Sequence, residues 1–394
     1  MVGVKYCVLI LDGASGRPLE EFEGKTCLQL ARTPNLDLLA SQGLVGLART
    51  VPPGMEPSSG CACLSILGYD PRVYYTGRGP IEAYSLGIRL ERGEVAFRCN
   101  LVTIREGRMW SYSAGQISSA ESHALIAALQ QGLGDERVRF YPGVGYRHIC
   151  TIKQGEECLK AVCTPPHEIP DKPIWDFLPR GEGSGLLLDL MERSRKVLEG
   201  HPINRERQRQ GKPPANLIWL FWGGKASPQL PPFHQKYGLH AALTSGVDLL
   251  RGLARLSGIE PLHIQGVTAG LDSNHSAQAE GALRALKAYD LVFVHIEAPD
   301  EAGHEGKAEE KIRSIEQIDR EAVGQFRHQG LRLLILPDHP TPVKLRTHAA
   351  DPVPFLIWGH GIRPNGAQAF CEPEAQRTGL LLEGYELLQL LLKS

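Results

Sequence analysis

Three short apolar runs in this chain end in acids, and that repetition limits its fold more than any other feature. Val8-Leu9-Ile10-Leu11 leads into Asp12-Gly13. Leu291 to Ile296 leads through Glu297-Ala298-Pro299 into Asp300, and Leu331 to Leu336 leads through Pro337 into Asp338-His339. Runs this short, rich in Leu, Val and Ile with little polar alternation, read as strands buried on both faces, hence a parallel sheet covered by helices. A fourth run, Pro352 to Trp358 before Gly359, reads as another strand, and its prolines predict a place at the sheet edge. Helical periodicity separates the runs at 277–288, at 309–326 (Ile312, Ile315 and Ile318 on one side) and at 380–392. Strand alternating with helix is the α/β pattern, and ligands of open α/β sheets sit beyond the carboxyl ends of the strands. Asp12, Asp300 and Asp338 fall at those ends.

From 82 to 232 the pattern changes. Turns, Pro-Pro pairs and the polar segment Asn204 to Lys212 interrupt it, and no strand there ends in an acid. This stretch is expected to form a smaller α+β domain inserted into the first, which then comprises 1–81 and 233–394. Arg205-Glu206-Arg207-Gln208-Arg209 reads as solvated surface. Two domains are ordinary for 394 residues. With 43 Lys+Arg against 44 Asp+Glu, the net charge of −1 lacks the basic footprint that nucleic acid requires. No apolar stretch approaches the roughly 20 residues that span a bilayer, so no membrane partner is expected. The N-terminal run carries no signal-peptide cleavage pattern. Nine cysteines, an odd count, predict reduced thiols and a cytoplasmic location. Cys61-Ala62-Cys63 has no second pair at zinc-finger spacing and reads as packing thiols.

Chemistry concentrates in the last third. Asp300 and His304 lie four apart, Asp338 and His339 are adjacent, and His348 follows within ten residues. With Asp12 these make three carboxylates and three imidazoles, enough for two divalent cations with open positions. Mixed oxygen and nitrogen donors suit Mn2+, Zn2+ or Co2+ better than Mg2+ alone. Any one of these side chains alone would read as a turn, cap or satisfied polar group. Six at strand ends of one sheet read as a metal centre, and such a centre handles phosphoryl groups. The segment Pro52 to Gly60 offers Ser58 and Ser59 as hydroxyls before a helix expected at Cys61–Leu67, one as nucleophile or either as a cap. Gly24-Lys25-Thr26 is not a P-loop, because Leu19 stands where its first glycine is required.

Further motifs span nearly the whole chain: Ile10 to Gly13, Thr33 to Asp37, Leu67 to Pro71, Tyr75 to Pro80, Phe97 to Asn100, Tyr146 to His148, Thr164 to His167, and His201 to Asn204. Glu297-Ala298-Pro299-Asp300-Glu301-Ala302-Gly303-His304 and Pro337-Asp338-His339-Pro340-Thr341-Pro342 are the most specific. On these motifs the chain resembles the archaeal-type, cofactor-independent (2,3-bisphosphoglycerate-independent) phosphoglycerate mutases of the alkaline phosphatase superfamily. The resemblance implies an α/β fold, an alkaline-phosphatase-like parallel-sheet metal domain with an inserted smaller α+β mutase domain. It implies two divalent metal ions, Mn2+ first with Zn2+, Co2+ or Mg2+ as alternatives, and no 2,3-bisphosphoglycerate. Asp300, His304 and His348 would bind one ion; Asp12, Asp338 and His339 would bind the other, together with the nucleophile Ser59. The implied partner is a small phosphorylated metabolite, and the implied reaction interconverts 3-phosphoglycerate and 2-phosphoglycerate through a phosphoserine. Arg78, Arg98 and Arg147 are the candidate clamps for its carboxylate and phosphate, with Asn100, His167 and Lys225 as further candidates. Lys225 reads equally well as a surface ion pair. The chain departs from the family's usual residues around the nucleophile, where Ser58-Ser59-Gly60 replaces Gly-Ser-Asp, and at Ser111 and Gln116. A related metal-dependent phosphotransferase or phosphatase, for example one resembling homoserine kinases, is the alternative. The oligomeric state is left open.

Overall fold

The computed structural model describes residues 4–226, 230–327 and 330–393. In chain order the strands begin with β1 (Tyr6–Leu11) and β2 (Leu44–Arg49). They continue with β3 (Glu94–Arg105), β4 (Arg108–Ser111), β5 (Val138–Tyr141), β6 (Arg147–Lys153) and β7 (Leu217–Lys225). The last are β8 (Ala241–Thr244), β9 (Glu260–Leu262), β10 (Leu291–Ile296), β11 (Arg332–Leu336), β12 (Val353–Trp358) and β13 (Leu381–Glu383). The chain divides into two compact units, 1–75 with 229–394, and 76–228.

The first unit is built on an eight-stranded sheet of order β13-β2-β12-β11-β1-β10-β8-β9. Pairing is parallel from β9 through β8, β10 and β1 to β11. Leu291, Val292, Phe293 and Val294 of β10 are all fully buried, each worth roughly 1.5–3 kcal/mol relative to exposure. The parallel register sets Ile10 beside both His295 and Leu336, so the three acid-bearing ends emerge side by side.

The proline-bearing strand is not at the edge. β12 lies inside the sheet, antiparallel to both β11 and β2. Pro354 pairs with Leu47, whose N–H turns away to Leu380 O at 2.8 Å, and the β11 ladder reaches only Leu356 to Trp358. No ladder partner therefore waits for the N–H that Pro354 lacks. The 380–392 segment opens as strand β13 and becomes a helix only at Leu387–Leu392. The 309–326 helix is interrupted: Ala308–Ile318 is α-helical, and Asp319–Val323 forms a π-turn. That turn buries the Asp319 carboxylate, which accepts from Leu36 N at 2.7 Å and Asn35 N at 3.2 Å. Asp319 thereby caps the helix Pro34–Ser41, whose own Thr33 makes no side-chain cap.

The second unit is an antiparallel sheet in which β6 and β7 flank β3. Alternate residues Val95, Phe97, Cys99 and Leu101 enter a core shared with the helices Ser119–Leu133 and Ser184–Glu199. The intervening Ala96 packs instead with Ala83 of the helix Arg78–Ser85. That helix crosses the domain boundary expected at 81/82, and its packing on β3 and β7 places it wholly in the second unit. Residues Trp222 and Gly223 of β7 oppose the single residue Phe97, a bulge in which Trp222 takes φ +48°.

The segment 205–209 is not uniformly solvated. Arg207 is buried, donating to Pro213 O at 2.9 Å, Ala114 O at 2.7 Å and Glu121 Oε2 at 2.9 Å. All nine cysteines are unpaired, and no described helix is long and apolar enough to cross a membrane. Replacing Arg207 by Ala strands two carbonyls and a partly buried carboxylate, and should cost about 2–3 kcal/mol in urea unfolding. A loss below about 0.5 kcal/mol, as for an ordinary surface site, would show that Arg207 is not a structural tie.

Candidate active site

The loop after β1 is shaped by Gly13, at φ +61°. A Cβ there would lie 2.5 Å from Asp300 Oδ1 and 2.7 Å from its Cα, so only glycine lets Asp300 approach the end of β1. Gly13 N also donates to Asp338 Oδ1 at 3.1 Å, and His339 N reaches the same oxygen at 2.8 Å. Asp338 Oδ2 is left for other work. Asp300 and His304 lie on the helix Ala298–Glu305 at i and i+4, which stacks them on one face.

The six side chains converge as two triads. Asp300, His304 and His348 bring one donor atom each within 4.8 Å of one another, as do Asp12, Asp338 and His339. Their hydrogen bonds settle the imidazole tautomers. His304 Nδ1 lies 3.0 Å from Arg346 O and His348 Nδ1 lies 3.3 Å from Pro57 O. A carbonyl only accepts, so each Nδ1 carries the hydrogen; each Nε2 presents a lone pair in the neutral ring and becomes an N–H facing Asp300 when the ring takes up a proton. Those two Nε2 atoms are 2.9 Å apart. Thr341 Oγ1 donates to Asp300 Oδ1, so its lone pair accepts from His339 Nδ1 at 3.3 Å. His339 Nε2 then faces Asp338 Oδ2 at 3.2 Å, Asp12 Oδ1 at 3.7 Å and Ser59 Oγ at 3.2 Å. Lone pairs meeting carboxylate oxygens repel unless a positive charge stands among them. Buried Asp12 Oδ1 has no hydrogen-bond partner, which fits the same need. The donor set therefore suits divalent cations of the Mn2+ or Zn2+ class.

The titration behaviour reports the same crowding. Burial pushes the Asp12 carboxyl well up, and the nearby Asp338, Asp300 and Glu297 carboxylates push it further. Burial also acts to raise Asp300, but hydrogen bonds from His304 and His348 outweigh it and hold this carboxyl well below the usual range. In return the Asp300 hydrogen bond raises His304 to about 8. Burial lowers His339, keeping its ring neutral.

The two serines part company. The helix starts two residues earlier than the expected Cys61, at Ser59–Ile66, and Ser58 is its N-cap, accepting from Cys61 N at 3.3 Å and bonding Tyr75 Oη at 3.1 Å. Ser59 is the one whose hydroxyl reaches His339.

The remaining candidates lie in the second unit. Arg98 is buried on β3, donating to Asn100 Oδ1 at 2.9 Å and paired with Glu82. Burial lowers its pKa, and the neighbouring Arg78 and Arg147 charges add to that despite the pull of Glu82. Arg78 pairs with the same Glu82 at 2.7 Å and stacks 3.9 Å over the Trp222 ring. The His167 ring is 5.3 Å from Trp222. Arg147 is exposed at the start of β6, hydrogen-bonding Tyr146 Oη at 3.1 Å. Lys225 is exposed at the end of β7, with no ion pair among the described residues. Ser111, one of the departures, accepts from Gly115 N at 2.9 Å and closes a local turn.

Several participants escape a reading of the sequence. His295 lies hidden inside the β10 run, with Nε2 3.0 Å from Asp12 Oδ2. Cys63 Sγ lies 3.8 Å from Asp338 Oδ2, so it is not only a packing thiol. Lys311 is fully buried, its ammonium tying Ser15 O and Thr341 O at 2.8 Å each, which joins the loops that follow β1 and β11. Only Thr341 carried a signal, its place in the Pro337 to Pro342 motif.

Similarity to known proteins agrees with this geometry. The family described as 2,3-bisphosphoglycerate-independent phosphoglycerate mutase matches residues 40–204. A Methanothrix thermoacetophila protein named 2,3-bisphosphoglycerate-independent phosphoglycerate mutase is 49% identical, over 99% of this chain and 100% of its own. Among solved structures, a Pyrococcus horikoshii protein superposes with TM-score 0.81 at 29% identity, covering 99% of this chain and 97% of its own. The cofactor-independent phosphoglycerate mutase of Thermoplasma acidophilum superposes with TM-score 0.66 at 28% identity, covering 99% of both. On full-length identity, supported by the shared fold, the chain belongs to the 2,3-bisphosphoglycerate-independent phosphoglycerate mutase family.

Proposed function

We propose that this protein interconverts 3-phosphoglycerate and 2-phosphoglycerate by passing the phosphoryl group through Ser59, with two divalent cations held by Asp12, Asp338 and His339 and by Asp300, His304 and His348. The observation that carries this reading is the Ser59 hydroxyl, 3.2 Å from the Nε2 lone pair of His339 where the two triads meet. Bound there, the cations would neutralise charge on the phosphoryl oxygens and favour the alkoxide of Ser59.

The protein's own groups do the rest. Ser58 caps the helix, which fixes Ser59 at its first turn, where backbone N–H groups lack helical acceptors and favour a phosphate. Phosphoryl transfer breaks the bond to the substrate's 3-oxygen and forms one to Ser59 Oγ, while the serine proton passes to the departing oxygen. The 2-hydroxyl then takes the phosphoryl group back and returns a proton to Ser59. Arg78, Arg98 and Arg147, with Asn100 and His167, are the groups suited to hold the anionic ends of the substrate. Glu82 pairs with both Arg78 and Arg98 and fixes their forks, leaving one net positive charge to meet an anion. Exposed Lys225 is the weakest member of that set. Gly60 puts no acidic side chain beside Ser59, the feature that favours a phosphatase or another phosphotransferase as the second reading.

An enolase-coupled assay with free phosphate followed in parallel separates these activities. The mutase reading expects 2-phosphoglycerate without stoichiometric phosphate release, silenced by chelation and restored by Mn2+; phosphate as the main product would favour the second reading. Ser59→Ala should abolish turnover and leave Mn2+ affinity within about tenfold of wild type. Ser58→Ala should cost about 1 kcal/mol of stability as a lost cap while turnover persists; the reverse pattern would move the nucleophile to Ser58. Thr341→Val removes the hydroxyl that orients Asp300 and His339, and calorimetry should find metal affinity roughly 10- to 100-fold weaker. Unchanged affinity would remove Thr341 from the site.

A further inference from the structure

We propose that Cys63, His295 and Asp338, with Asp12 closing the shell, form a third and fully buried cation subsite whose sulfur, nitrogen and oxygen donors select Zn2+. The proposal depends on the two-cation reading only through the two aspartates it shares.

Ser59 and Cys63 are four residues apart on one helix and project from the same face. Ser59 meets His339, and one turn deeper the Cys63 thiol meets Asp338. The donor atoms of Cys63, His295 and Asp338 all lie within 4.8 Å of one another, and all three residues are buried. Asp12 divides its oxygens: Oδ1 faces His339 Nε2 at 3.7 Å, and Oδ2 faces His295 Nε2 at 3.0 Å. Asp338 Oδ2 is shared, 3.2 Å from His339 Nε2 and 3.8 Å from Cys63 Sγ. With two lone pairs it can bridge neighbouring ions. Tetrahedral Zn2+ with bonds of about 2.0–2.3 Å has ligand-to-ligand edges of about 3.3–3.8 Å, close to these separations.

A weak S–H bond to Asp338 would account for Cys63 alone. It does not account for His295, whose Nε2 is completely buried and makes no aligned hydrogen bond despite its closeness to Asp12. The other ring nitrogen is held by Ser245 Oγ at 3.1 Å, the outer contact expected of a ligating imidazole. Thiolate ligation favours Zn2+ over Mn2+. Binding forms the sulfur–metal bond as the thiol proton leaves to solvent.

Titration of the metal-stripped full-length protein with Co2+, counted by elemental analysis and followed by absorption, tests this. The expected result is three equivalents per chain and a sulfur-to-cobalt charge-transfer band in the near ultraviolet. Cys63→Ala should lose the band and one equivalent, and His295→Gln should weaken that equivalent by about tenfold or more. The wild-type spectrum decides even if a variant misfolds. Fewer than three equivalents, no sulfur band, or a band that survives in folded Cys63→Ala overturns the proposal. Two equivalents without the band leave the two-cation reading standing, whereas no binding at all removes both.

Discussion

Mutual repulsion among buried carboxylates is the constraint from which the rest of the first unit follows. Parallel pairing of β10, β1 and β11 delivers Asp300, Asp12 and Asp338 to one end of the sheet, and burial denies them water. Three imidazoles turn their Nε2 atoms toward these carboxylates. Such a cluster is destabilising by itself, as the upward push on Asp12 records. The fold tolerates it because backbone N–H groups hold Asp338, Thr341 holds Asp300, and the buried Lys311 ammonium ties the flanking loops. On the proposed two-cation reading, positive charge supplied from solution would complete the balance and couple folding to metal binding.

The second unit solves a different electrostatic problem. Arg98 is buried, which disfavours its charge, and Glu82 restores it while also engaging Arg78. The bulge in β7 turns Trp222 into a left-handed conformation and sets its ring against both Arg78 and His167. Backbone strain at such a residue persists only when its surroundings hold it. Guanidinium groups fixed in this way lose little further entropy when they meet an anion.

Much of this was legible in the residue order, for identifiable reasons. Strands buried on both faces leave uninterrupted apolar runs, so the acid-bearing ends of β1, β10 and β11 could be located, and the spacing of Asp300 and His304 survived as one helix face. What failed was set by tertiary context. Pro354 sits inside the sheet because its missing N–H falls beyond the end of a ladder, which no local rule reveals. The C-terminal Leu-rich segment pairs with β2 before it turns helical. Arg207 looked solvated within a charged run, yet its partners Glu121 and Ala114 are remote in the chain. His295 was invisible as chemistry because it occupies one position of an apolar strand.

Anomalous diffraction from crystals of the Mn2+-loaded protein would show where the cations sit relative to Ser59. One anomalous peak should lie within bonding distance of Asp12, Asp338, His339 and the Ser59 hydroxyl, and a second should lie among Asp300, His304 and His348. Peaks elsewhere, a single peak remote from Ser59, or a Ser59 hydroxyl turned away from both would contradict the account.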